Sequence, residues 1–168
     1  MAVAAMCVLS CNKKEGNEAE TPATANDSVT AITGNDDTEF TKQCYLQVTS
    51  RKTDYGNRKT LSDSIIFNIE RQEGDSIWGI FHWKPAEKDK KISTFKGTLF
   101  AGNSGSTGHV VANSNAEGMN YNEEVNFKLK DNQLTVYFGE MTEGKDGIWL
   151  YKDQNRLSEQ VLNKVDCK

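Results

Sequence analysis

The only two imidazoles in this 168-residue chain belong to His82 and His109. A histidine can act as a base or a metal ligand near neutral pH. His82 lies in IWGIFHW, residues 77–83, and shares a face with Trp78 and Ile80 if that segment is extended. A hydrogen-bonded or surface imidazole fits this setting better than a general base inside a barrel. Glu87, Asp89 and Glu117 are the acids that come nearest to a pair of carboxylates, but PAEKDKK has the composition of a solvated loop. Ser104 and Ser106 stand among Gly102, Gly105 and Gly108 in GNSGSTGH. A phosphate loop needs a Lys-Ser/Thr pair and a following helix. A nucleophile elbow needs Gly-x-Ser-x-Gly. Neither pattern is present, and a strand candidate follows, so this stretch reads as a hairpin loop. The chain displays no nucleophile–base pair, no metal-ligand cluster and no cofactor motif, and a non-enzymatic role is the expectation.

The aromatic residues are more informative. Trp78, Phe81, Trp83, Phe95, Phe127, Tyr137, Phe138, Trp149 and Tyr151 exceed what one face of a small sheet must bury. Core packing is their simplest use. If the sheet closes on itself, Trp78, His82, Trp83 and Trp149 are the candidates to line a cavity for a small apolar or amphipathic ligand.

The elements that would carry these residues alternate with period two. CYLQVT opens the series at Cys44. Leu61, Ile65, Phe67 and Ile69 share one face of a second run, and residues 77–83 are apolar on both faces. Phe95 to Leu99, His109 to Ala112, Val125 to Leu129, Leu134 to Phe138 and Ile148 to Leu150 follow. Turn residues separate the runs at Tyr55-Gly56-Asn57, Glu73-Gly74-Asp75, Asp131-Asn132 and Gly144 to Gly147. Only Asn155 to Leu162 offers a short helix. The expectation is an all-β domain, an antiparallel up-and-down meander of about eight strands. A lipocalin-like barrel is preferred over a sandwich because closure removes exposed edges.

The charge is unevenly divided. Residues 12–43 carry Glu15, Glu18, Glu20, Asp27, Asp36, Asp37 and Glu39 against Lys13, Lys14 and Lys42, which accounts for the whole net charge of -4. The remainder is balanced and has no basic stripe, which argues against nucleic acid as a partner. Residues 12–38 lack aromatics and have the composition of a disordered tether. Function is therefore expected in residues 42–168, with 11–41 as the tether.

Met1 to Ser10 form an uncharged apolar stretch, of signal-peptide length and too short to span a bilayer. With VLSC at residues 8–11 this stretch resembles the type II signal peptide and lipobox of bacterial lipoproteins. The resemblance implies cleavage before Cys11 and diacylglycerol on its sulfur. No Lys or Arg precedes the apolar run, a departure from the usual signal peptide that fits a truncated start. An N-terminal lipid would make the membrane a partner, and Asn12 after Cys11 favours outer-membrane sorting, with the periplasmic and cell-surface faces both open. Asp27-Ser28-Val29 resembles O-glycosylation sites of Bacteroidota envelope proteins, making Ser28 a candidate.

On that reading Cys7 leaves with the signal and Cys11 takes lipid. Cys44 and Cys167 remain, and an envelope compartment favours their pairing as a disulfide. CYLQ, EKDKKISTFKGTL and KVDC are also similar to segments of small Bacteroidota lipoproteins of unassigned function. The expected role is a membrane-anchored envelope lipoprotein whose β domain binds a small apolar or amphipathic ligand or an envelope partner. A structural module with a solid core is the alternative, and an envelope hydrolase the least favoured.

Overall fold

The computed structural model describes residues 40–53 and 59–168. The signal segment, Cys11, the tether, Ser28 and the expected turn at Tyr55-Gly56-Asn57 lie outside the described residues. Ten strands follow one another: β1 (Gln43–Lys52), β2 (Thr60–Glu73), β3 (Ser76–Lys84), β4 (Lys91–Phe100), β5 (Ser106–Ala116), β6 (Met119–Lys130), β7 (Gln133–Phe138), β8 (Met141–Glu143), β9 (Ile148–Tyr151) and β10 (Ser158–Val165).

Strands β1 to β7 form an antiparallel meander. Strand β10 then pairs with both β7 and β1, which closes an eight-stranded barrel. Short hairpins set the registers. Between β5 and β6 the two-residue turn Glu117-Gly118 has positive φ at both positions, the combination that matches the twist of paired strands. Gly147, at φ 71°, ends the expected Gly144–Gly147 turn between β8 and β9.

The inward residues are those of the period-two pattern. Phe67 lies at the centre, with ring centroids 4.7 Å from Phe95, 4.8 Å from Phe127 and 5.7 Å from Phe81. Ile69, Ile77, Val110, Leu134, Val136 and Leu162 complete the packing, and Phe40 lies against this cluster just before β1. The end at which β1 starts and β10 finishes is thus filled by apolar side chains. There Cys44 and Cys167 form the expected disulfide, with Cα atoms 5.3 Å apart.

Two elements depart from expectation. Asn155 to Leu162, read as the one short helix, instead leads into the strand Ser158–Val165. Leu157 and Val161 have helical spacing, but hydrogen bonding to strands on both sides outweighs that local pattern. Of the β8–β9 hairpin the sequence pattern predicts the turn and the run Ile148 to Leu150, but not β8. The hairpin lies outside the barrel proper, with β9 pairing parallel to β6 through Asn122↔Ile148 and Glu123↔Trp149. It occupies the flank of β6 beyond the reach of β7, whose pairing with β6 runs only from Phe127↔Val136 to Lys130↔Gln133.

Candidate functional site

The second end of the barrel is built differently. β1 and β10 pair through only three positions, Cys44↔Val165, Tyr45↔Lys164 and Leu46↔Asn163. From Gln47 onward β1 pairs with β2 alone, so the barrel wall splays. A cavity of about 420 Å³ lies in this seam, lined by Gln47, Thr49, Asp63, Ile65, Trp83, Phe138, Ser158 and Gln160. Alternation turns Gln47 and Thr49 inward with the buried Tyr45, and Trp83 inward with Phe81. One wall is an indole and a phenyl ring, and the other carries amide and hydroxyl groups. Trp83 is 42 % exposed although it alternates inward with Phe81.

Across the same end runs a buried polar chain. Ser93 on β4 and Ser114 on β5 share a hydrogen bond of 2.7 Å between their hydroxyls. Ser114 donates to Glu123 Oε1 at 2.7 Å, and Lys91 Nζ donates to the same oxygen at 2.7 Å. The Glu123 side chain is 5 % exposed and that of Lys91 13 %. The ammonium also lies 5.2 Å from the centre of the Phe81 ring. Desolvating such a pair costs several kcal/mol per ion, so it is weak evidence for stability in itself. Beside it, Glu123 reaches a second cavity of about 400 Å³ bordered by Met119, Asn120, Tyr121, Met141 and Trp149.

The next residue, Glu124, points to the outside of the barrel yet is only 7 % exposed. The end of β9 and the segment after it cover the carboxylate: the Tyr151 backbone N–H donates to Oε1, and Gln154 Nε2 donates to the same atom at 3.1 Å. His109 Nε2 lies 3.5 Å from Oε2. The Tyr151 hydroxyl donates to the carbonyl of Tyr137, and burial together with the nearby Glu123 and Glu124 raises its pKa well above the ordinary phenol value.

The four candidate lining residues therefore separate. Trp83 borders the seam cavity and Trp149 the cavity beside Glu123. Trp78 and His82 alternate with the buried Ile77, Gly79 and Phe81 and so belong to the outer wall, not the interior. Trp78 is flanked there by the Arg71 guanidinium at 4.8 Å and the Lys96 ammonium at 5.5 Å from its ring centre. Partial burial and then the positive charge of Lys84 hold the His82 pKa below its ordinary value; Lys90 adds to this and Glu70 opposes it.

Of the other chemistry-bearing residues, Glu87 pairs with Arg51 at 2.7 Å on the exposed rim. Glu117 is a turn residue, and Ser106 opens β5. Among the described residues no three His, Cys, Asp or Glu side chains converge as metal ligands would. Sequence reasoning missed Glu123, although the signal was present: it shares period-two parity with Val125 and Phe127. The burial of Glu124 had no such signal, because it depends on a segment some thirty residues later. No family model, no curated protein and no solved structure matches this chain.

Proposed function

We propose that this chain is a membrane-anchored envelope lipoprotein whose barrel binds a small amphipathic molecule in the β1–β10 seam, without catalysing a reaction. The observation that carries the reading is the seam itself. A barrel whose only task is packing has no reason to leave an indole and a phenyl ring facing amides and hydroxyls across open space. Sites for small ligands have this character, mostly apolar with a few polar groups that set orientation. Here Trp83, Ile65 and Phe138 offer the apolar wall, and Gln47, Thr49 and Gln160 offer donors and acceptors to one edge of the ligand. Anchoring rests on the lipobox-like VLSC and on the tether composition.

The test is intact mass of the protein extracted from its native membrane, under native and then denaturing conditions. Loss of residues 1–10 with added acyl mass supports the anchor. A native mass that exceeds the denatured one by a small molecule supports the carrier, and a Trp83→Ala variant is expected to lose that excess. The solid core of the opposite end favours a second reading, a structural interaction module. Equal native and denatured masses across preparations would favour that module instead.

A further inference from the structure

Glu123 is a nearly buried carboxylate whose two hydrogen bonds both end on the same oxygen. Lys91 Nζ and Ser114 Oγ each donate to Oε1, and among the described residues no protein group donates to Oε2. No side-chain N or O atom that is wholly buried lacks a partner among the described residues, so Oε2 is not wholly buried, and Glu123 lines the adjoining cavity. The other residues lining that cavity are Met119, Asn120, Tyr121, Met141 and Trp149. Met119, Tyr121 and Glu123 share one face of β6 by alternation, and the parallel pairing Glu123↔Trp149 puts the indole beside the carboxylate. On β8, Met141 and Glu143 share a face, and Glu143 pairs with Trp149, so the hairpin extends this wall beyond the barrel.

We infer that this cavity is a binding site for a small organic cation, an alkylammonium group held between Trp149 and Tyr121 with Glu123 Oε2 as its counter-charge. The faces of indole and phenol rings attract cations, and thioethers add polarizable contact without competing for hydrogen bonds. The cavity, about 400 Å³, is larger than a trimethylammonium group needs and leaves space for a substituent. Local charge agrees: Glu117 in the neighbouring turn adds negative charge near Tyr121, and among the described residues Lys91 is the one cation paired with Glu123. Lys91 and Ser114 both occupy Oε1, which leaves Oε2 to the ligand. This site does not depend on the seam cavity, whose reporter is Trp83.

The experiment is a titration of the folded, disulfide-bonded protein with choline chloride, followed by the indole N–H resonances of the three tryptophans. Its neutral isostere, 3,3-dimethylbutan-1-ol, is titrated in parallel. The Trp149 resonance is expected to move saturably with choline while that of Trp83 stays in place, and the alcohol is expected to bind at least about tenfold more weakly. Glu123→Gln should weaken choline binding by a similar factor, since the amide still accepts from Ser114 but carries no charge. Trp149→Ala, at a partly exposed position that tolerates truncation, should abolish it. Equal binding of the alcohol or an unmoved Trp149 signal would each overturn the assignment.

Discussion

Removing the Cys44–Cys167 bridge should cost the domain about 3–5 kcal/mol, most of it through the unfolded chain. The bridge spans a sequence separation of 123 residues. In the chain-entropy treatment a loop of that size restricts the unfolded ensemble by about 5 kcal/mol at 25 °C, and real bridges commonly deliver less. The fold makes the folded-state side of the argument specific. Beyond the bridge, β1 and β10 are joined by only three residue pairs, so the sulfur link and that short ladder together hold the barrel shut at its packed end. Alanine is the appropriate replacement, because Cys44 is 5 % exposed and a serine hydroxyl there would add a desolvation cost of its own. The assay is urea unfolding of the oxidised protein and of the Cys44→Ala/Cys167→Ala variant, followed by tryptophan fluorescence. The midpoint should fall, and the m-value should rise because the uncrosslinked unfolded chain exposes more surface. A loss below about 1 kcal/mol with an unchanged m-value would refute the reasoning. The three-pair ladder would then hold the seam unaided, and the unfolded state would be compact with or without the bridge.

Phe127→Ala should destabilise by about 3–5 kcal/mol in the same urea assay, since the ring is fully buried against Phe67 and its removal leaves a void at the barrel centre. Gly108→Ala should cost about 1–3 kcal/mol or more, because an added Cβ would sit 2.0 Å from the Phe127 ring; combining it with Phe127→Leu should recover part of the loss, and strict additivity of the two would argue against that contact. Glu124→Ala should leave the Tyr151 N–H and the Gln154 amide without their acceptor, a penalty of about 1–3 kcal/mol, read as faster amide exchange confined to residues 151–157. His82 is held below its ordinary value of 6.5, so the fold favours the neutral ring. Its stabilising contribution is complete above the unfolded value and is lost as pH falls below about 6.5 toward the lower folded value. The His82→Gln variant should therefore lose less stability than the parent between neutral and mildly acidic pH, as measured by unfolding midpoints across that range.

Much of the wall of this barrel was legible locally. Ile65, Phe67 and Ile69, or Val125, Phe127 and Leu129, alternate with polar partners, and a strand can satisfy that pattern only by giving one face to a core. Turn residues such as Glu73-Gly74-Asp75 and Asp131-Asn132 marked where the chain reverses, because their backbone preferences act within a few residues. Cysteine usage, together with the lipobox resemblance that sets Cys7 and Cys11 apart, likewise points to the Cys44–Cys167 bridge. The inward pair of Lys91 and Glu123 was legible in part: parity placed Glu123 on the core side, but nothing local identified the ammonium 32 residues away that makes its burial tolerable.

What the sequence by itself determined is the all-β class and, in strands with one polar face such as β2 and β6, which residues turn inward, both consequences of short-range backbone geometry and composition. The tertiary structure alone decided that NRLSEQVLNK would yield a strand and not a helix, since β10 gains its hydrogen bonds from β7 and β1, chain segments far away in sequence. It also decided where the barrel would splay, which of Trp78, His82, Trp83 and Trp149 would border a cavity, and that Glu124 would be covered. Each of these depends on register and closure between distant strands, and the energy of such pairings is set by partners that no local window contains.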